Sequence, residues 1–483
     1  MQVERTEIVL KPDQRRVLFL PFKPARDEQI LKIAARVMSL TYAEVDKELE
    51  EVCKEFVDRH HKLYEYFLKR FDQISSYLIS DRKLRKNRKM LIGAYFTAEY
   101  SLESAALFNP SMVLHPDQSK LPKGSMRFIL SLRATGEGHI SSIVFRLGLI
   151  DVNNNITIEN PERFVTAPEV IPNPNYEKQL FERKLIELGL ANNFANEVLT
   201  QLGDVFSLYE LEERVESTIY KIRTRNGQNN EIANGILSLA HSNYEIVYNK
   251  KHHLSERIIF PHSPTQKNGI EDARFVRFLN DDGSYIYYAT YTAFDGKVTL
   301  PQLLATTDFL SFKIITLNGP EVQNKGMALF PRKIDGMYVM LSRQDNENIY
   351  IMFSDNIHFW YTKKILLKPT FTWEIVQLGN CGSPIETEKG WLVISHGVGP
   401  MRKYSIGAFL LDLEDPTKVI GRLKEPLLNP NENEREGYVP NVVYSCGSMI
   451  HGDELIIPYA MSDYVSSFAK VNVNELLKEL TSK

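Results

Sequence analysis

The chain has 483 residues, 43% of them hydrophobic and 25% charged, with a formal net charge of -3 at pH 7. That length exceeds one ordinary core unless the chain repeats, and the balance is that of a soluble globular protein with no electrostatic reason to bind nucleic acid or an anionic membrane. Three widely spaced cysteines, Cys53, Cys381 and Cys446, support neither a disulfide framework nor a CxxC metal site. No apolar run reaches the length of a membrane span, and Met1 to Glu7 lack the apolar core of a secretory signal, so a cytoplasmic location is expected.

Residues 1–104 read as an N-terminal helical extension behind a short extended lead, Arg16 to Phe22. Ile30, Ile33, Ala34, Val37 and Leu40 recur at helical spacing, and Thr41 with Glu44 predicts a capping box for the next helix. Arg59-His60-His61-Lys62 is read as a solvated surface, because adjacent histidines on a helix point to different faces. From Phe108 the pattern changes to alternation and turns. Met126–Arg133 and Ile140–Arg146 predict two strands, joined by the polar tip Gly136-Glu137-Gly138-His139. Helical spacing returns in Tyr176–Leu188 and Leu208–Leu239, which predicts a helical insertion at about 172–249.

After Ser255 the chain is almost entirely β and repeats itself. Turn glycines Gly283, Gly336, Gly390 and Gly452 stand 53, 54 and 62 residues apart between apolar-aromatic strands, and Gly124 marks an earlier copy. Thr307–Phe312 echoes Ser354–Trp360, with the aspartates 47 apart. Recurrence near 50 residues predicts an all-β five-bladed β-propeller over 105–475, interrupted by the helical insertion and followed by a tail, 476–483. The helical extension is expected to form a homo-oligomer contact, since amphipathic helices outside a closed propeller need a partner surface.

Inner strands of a propeller converge on one axis, so scattered polar segments can meet in one pocket. The central candidate is Gly269-Ile270-Glu271-Asp272-Ala273-Arg274, two adjacent carboxylates and an arginine where a loop becomes a strand. Asp272 suits a general acid, and its neighbour Glu271 should make it resist ionising. Other segments odd for strand interiors include Asn109-Pro110, Arg133 with Glu137-Gly138-His139, Asn324-Lys325-Gly326, Arg343-Gln344-Asp345, Gly379-Asn380-Cys381, His396-Gly397, Arg402-Lys403, Glu436-Gly437-Tyr438 and Ser462-Asp463.

Gly269–Arg274, Tyr291–Gly296, Lys325–Pro331, Gly390–Val398 and Leu410–Pro416 resemble, in order, the signature segments of glycoside hydrolase family 130. The resemblance covers about 105–475 apart from the insertion. It implies a five-bladed propeller and inverting attack at the anomeric carbon of a β-mannoside. Asp272 then matches the family's general acid, acting through a sugar hydroxyl, with Ala273 in place of the usual proline. Asn109, Arg133, Glu271, Arg274, Asp345 and Asp463 are expected to bind sugar. Two family cations are replaced, by Gln302 and Gln377, so the phosphate cradle is sought among Arg133, Lys325, Arg343, His396, Arg402, Lys403 and Tyr438.

The expected activity is phosphorolysis of β-mannosides, with β-1,2-linked manno-oligosaccharides as the expected substrate, giving α-mannose 1-phosphate, with inorganic phosphate as co-substrate and no metal or other cofactor. One alternative is an inverting β-1,2-mannosidase in which Glu137 or Glu436 activates water. Another is a carbohydrate-binding propeller without catalysis.

Overall fold

A computed structural model describes residues 1–78, 83–221 and 227–482. Five antiparallel sheets of four or more strands follow one another along the chain, with helices before and between them. The first is built on strands Ala106–Leu114, Met126–Thr135 and Ser141–Ile150, and the second on Ile270–Leu279, Tyr285–Phe294, Thr299–Thr306 and Ser311–Thr316. The third has Ala328–Leu329, Tyr338–Ser342, Ile349–Ser354 and Lys363–Leu367; the fourth has Gln377–Asn380, Gly390–Val398, Tyr404–Leu411 and Val419–Arg422. Val443–Tyr444, Glu454–Met461 and Val465–Asn472 make up the fifth.

In every sheet the strands just named start at one edge and follow outward in chain order. The predicted turn glycines Gly124, Gly283, Gly336 and Gly452 sit just before the second main strand and Gly390 at its first residue, all at positive φ, between 59° (Gly452) and 148° (Gly390). A Cβ at Gly283, Gly336 or Gly452 would touch nothing, so backbone conformation alone asks for glycine there. Strands inside the sheets are covered on both faces. Gly390–Val398 is buried along its whole length, which explains its nearly continuous apolar run.

Each sheet meets the next through a few backbone contacts at strand ends and turns. Parallel bridges join Leu279 to Arg332, Tyr404 to Val442 and Ser111 to Gly447, and Leu378 N donates to Glu347 O at 3.0 Å. Phe275 N donates to Ser111 Oγ at 3.1 Å, and Cys446 N donates to Pro110 O at 2.8 Å, so the first sheet touches both the second and the fifth.

The expected boundaries shift at three places. Val3–Arg5 belongs to the fifth sheet, pairing with Val465–Asn472 through Val3 opposite Val471, rather than to a helical extension. The expected tail at 476 is most of a helix, Val473–Thr481, which buries Val473, Leu476, Leu477 and Leu480 in the core shared with the fourth and fifth sheets. The insertion grows from the second sheet, whose outer edge gains Tyr244–Val247 and Glu169–Pro172. Its helices, Lys178–Glu187, Asn193–Thr200, Leu208–Lys221 and Gly227–His241, have their own core around Phe181, Leu185, Phe194 and Val198. The helical reading of Leu208–Leu239 crosses residues 222–226, which lie outside the described residues.

Four helices, Asp27–Ser39, Tyr42–Phe56, Leu63–Ile74 and Lys86–Tyr95, form the N-terminal unit. The capping box is present: Thr41 N donates to Glu44 Oε2 at 2.7 Å and Glu44 N to Thr41 Oγ1 at 3.3 Å. Ile30, Val37, Val45, Phe71, Ile74 and Leu91 bury the apolar faces on one another. The buried faces of these helices thus pack within the chain, while Tyr42, Val57, Tyr64 and Tyr95 stay exposed. Among the described residues no helix is long and apolar enough to cross a membrane.

Candidate active site

The first strands of the first two sheets carry the same irregularity. Pairing slips between Phe108 and Ser111 in one and between Glu271 and Arg274 in the other. Asn109 (φ +50°) and Asp272 (φ +54°) stand at these bulges in the left-handed region, which costs a residue with a side chain about 1–2 kcal/mol. The bulges turn the two side chains toward each other, so that Asn109 Nδ2 donates to Asp272 Oδ1 at 2.7 Å. Asp463 (φ +50°) is held in the same conformation at the turn between the two long strands of the fifth sheet. Strained residues contributed by three sheets thus bear the polar groups of one cleft.

Charge sets the state of these acids. Arg133 Nη2 donates to Glu271 Oε1 at 2.8 Å and its Nη1 to Asp272 Oδ1 at 3.5 Å. Arg274 Nη1 donates to the Asp272 carbonyl at 3.0 Å, with Nη2 4.0 Å from Asp272 Oδ2. Lys325 Nζ lies 3.7 Å from Glu271 Oε2. Burial alone raises the Asp272 carboxyl, but Arg133, Arg274 and Lys325, with the Asn109 hydrogen bond, outweigh it and hold the group at about 2. The expected resistance to ionising is therefore not found, because the Glu271 carboxylate is turned toward Arg133 and Lys325. The raised carboxyl is Asp463, pushed up to about 6 by burial and then by Asp272, against Arg133 and Lys325. Two carboxyls with values driven apart are the arrangement that separates proton holder from proton acceptor.

A second group lies beside the first. Arg343 Nη1 donates to His396 Nε2 at 3.2 Å. His396 is fully buried and held well below its usual value, first by burial and then by Arg343 and Arg274, so it is the neutral acceptor of that bond. Gly379 and Gly326 make room for the pair: a Cβ on Gly379 would stand 2.4 Å from His396 Cε1, and one on Gly326 would stand 2.4 Å from Arg343 Nε. Tyr444 joins the halves. Its hydroxyl accepts from Arg274 Nη2 at 2.6 Å, and its ring meets His396 edge-on at 4.9 Å. Buried polar atoms without a protein partner collect around this cleft: Asn109 Oδ1, Arg133 Nε, Arg343 Nε and both amide atoms of Asn380. Such unused capacity is what a polyhydroxylated or anionic ligand engages.

Among the described residues the remaining candidates make no side-chain hydrogen bond to this group, although Gly437 packs against Ser462 beside Asp463. The Asp345 carboxylate is consumed by its own turn, accepting from Glu347 N, Asn348 N, Asn348 Nδ2 and the Tyr350 hydroxyl. Arg402 and Lys403 sit at the Pro400–Arg402 turn, with Arg402 exposed. Tyr438 is exposed and pairs with His139, hydroxyl to Nδ1, at 3.1 Å. Glu137 and Glu436 are also exposed, and among the described residues neither bonds to the Asp272 group. Gln302, where the resemblance expects a cation, is fully buried and accepts from the Tyr291 hydroxyl at 2.8 Å. Tyr444 escaped the sequence reading because a two-residue strand looks like any core aromatic.

The sequence profile of glycoside hydrolase family 130, described as β-1,4-mannooligosaccharide phosphorylase, matches residues 220–482. The 1,2-β-oligomannan phosphorylase of Thermoanaerobacter sp. (strain X514) is 39% identical over 231 residues, 46% of this chain and 75% of that protein. The β-1,2-mannobiose phosphorylase of Listeria innocua serovar 6a is 32% identical over 231 residues, 46% of this chain and 63% of the relative. The solved structure of β-1,2-mannobiose phosphorylase from Listeria innocua with β-1,2-mannobiose is 23% identical, covers 78% of this chain and 92% of that one, and superposes with a TM-score of 0.45. The profile match takes in more than half of the residues, including the Asp272, Arg343–His396 and Asp463 segments, and on it the chain belongs to glycoside hydrolase family 130.

Proposed function

We propose that the protein is an inverting phosphorylase of β-mannosides, acting on β-1,2-linked manno-oligosaccharides and releasing α-mannose 1-phosphate. In this reading the five sheets are the blades of a propeller, their first strands line its axis, and the cleft at Asp272 lies at one end. The observation that carries the proposal is the buried Asp272 facing Arg133, Arg274 and Lys325, with Arg343 and His396 beside them. An inverting hydrolase needs a second carboxylate aimed at a water, whereas a phosphorylase needs fixed cations; this cleft is rich in the latter, and Glu137 and Glu436 are exposed. Relatives named as β-mannoside phosphorylases support the same choice.

The chemistry balances without a further reactant. The bond from the anomeric carbon to the departing oxygen breaks as a hydrogen phosphate oxygen bonds to that carbon from the opposite face. The departing oxygen takes a proton from the Asp272–Asp463 pair by way of a sugar hydroxyl, and the bound phosphate's proton restores the pair. Phosphate also supplies the protonation step. A dianion drawing on Lys325, Arg133 and Arg343 weakens the cation field that holds Asp272 at about 2, raising its proton affinity when substrate is present. Asn109 and Arg274 fix the carboxylate, and Glu271 holds Arg133 in place. Phosphorolysis keeps the bond energy as a sugar phosphate, which accords with a cytoplasmic role.

The test is an Asp272→Asn variant beside wild type, each given β-1,2-mannobiose and phosphate. The proposal expects binding by both and turnover by wild type alone. Binding by both and turnover by neither would make the protein a carbohydrate-binding propeller instead.

A further inference from the structure

Between the helical insertion and the second and third sheets lies a cavity of about 610 Å³, within the range of small-molecule sites. Leu188, Leu190 and Leu239 line it from the insertion, and Val298, Leu300 and Val322 from the sheets. Its walls are fixed in place. Glu187 Oε1 accepts from Gly319 N at 2.8 Å, while its Oε2 accepts from the buried Lys184 Nζ at 2.9 Å. On the other side, Gln302 Nε2 donates to Ser242 O at 2.8 Å. A cavity held open by buried polar ties between two separate cores is preformed rather than a packing fault.

The cavity and the cleft lie at the same end of the second sheet, where Ile270 and Glu271 pair with Ala293 and Thr292, next to Asp295 on the cavity wall. Asn324, on its wall, precedes Lys325, whose ammonium faces Glu271. Thr265, also on the wall, belongs to the Pro264–Gln266 turn that leads into the strand bearing Glu271 and Asp272. The lining chemistry differs from that of the cleft. Among the described residues no aromatic ring lines it, and aliphatic carbon dominates where a sugar would need partners for each hydroxyl. Asp295, Gln323 and Asn324 bring the polar groups on the sheet side.

We propose that this cavity receives an aliphatic aglycone, so that the substrates include β-mannosides whose leaving group carries an alkyl or acyl chain as well as manno-oligosaccharides. The proposal rests on the phosphorylase reading for the reaction, but the site itself is tested by binding. Each methylene buried there strengthens binding severalfold, so n-hexyl β-mannoside is expected to bind about 10-fold or more tighter than methyl β-mannoside in calorimetry.

Val298 is 47% exposed and Gln323 is exposed, so Val298→Trp and Gln323→Trp fill the space without disturbing a core. Both variants are expected to erase the hexyl preference and leave β-1,2-mannobiose turnover unchanged. Equal binding of the two mannosides by wild type, or equal weakening of all ligands by the tryptophans, would overturn the assignment. Failure to turn over any mannoside would refute the proposed reaction, while the calorimetric comparison still decides the cavity.

Discussion

Replacing Asp463 by asparagine should stabilise the protein near neutral pH while impairing its reaction. Asparagine tolerates the left-handed backbone at φ +50°, so the substitution changes charge without changing conformation. The carboxyl's folded value of about 6 lies above its reference value of 3.8. The folded chain therefore binds this proton more tightly, and the stability it brings is present in acid and lost as pH rises from about 4 through about 6. A displacement of about 2 in pKa corresponds to about 3 kcal/mol above that window. At roughly 2.1 cal/mol/K per residue, unfolding 483 residues carries about 1 kcal/mol/K of entropy. Thermal melts should thus place Asp463→Asn about 3 °C above wild type at about pH 7.5 and only about 1 °C above it at about pH 4.5. Turnover of β-1,2-mannobiose should fall about 10-fold or more at either pH. Equal shifts at both pH values, or a lower melting point near neutrality, would refute the charge assignment.

Asp272→Asn should move stability the other way. Its folded value of about 2 lies below 3.8, so its contribution is present above about 4 and disappears as pH falls through about 2; melts near neutrality should show a loss of about 2 kcal/mol. Its turnover should fall about 100- to 10,000-fold while calorimetry still detects mannobiose binding. Gly379→Ala forces His396 and Arg343 aside, so steady-state kinetics should show a KM for phosphate raised about 10-fold, with KM for mannobiose nearly unchanged. Tyr444→Phe leaves Arg274 Nη2 without its acceptor, and urea unfolding should report a loss of about 1–3 kcal/mol together with a lowered kcat.

The sheets were legible because hairpin alternation and turn glycines are local signals, each confined to a few neighbouring residues. Asn109-Pro110 and Glu271-Asp272 stood out for a related reason: polar residues inside strands mark bulges, and both proved to be bulges facing one another. The charge state of Asp272 was not legible, since it depends on Arg133, far away in sequence and brought close only when the first two sheets pack. Nor was the role of Asp463, whose carboxyl is raised by burial and by Asp272 across the cleft. The local bonding of Asp345 was not legible either: it follows Arg343 and Gln344, and its bonds run forward to Glu347, Asn348 and Tyr350 within the same turn. Val3–Arg5 is too short to show a period of two, and its place in the fifth sheet is fixed by Val465–Asn472 at the opposite end of the chain.

The account stands on phosphate, rather than water, being the partner that the cations of this cleft bring to the anomeric carbon. The direct measurement is phosphorus and proton NMR of β-1,2-mannobiose incubated with wild type, with phosphate present and then omitted. The account predicts α-mannose 1-phosphate matching the phosphate consumed, and almost no cleavage when phosphate is omitted. Free mannose as the sole product, formed at the same rate in both samples, would contradict it.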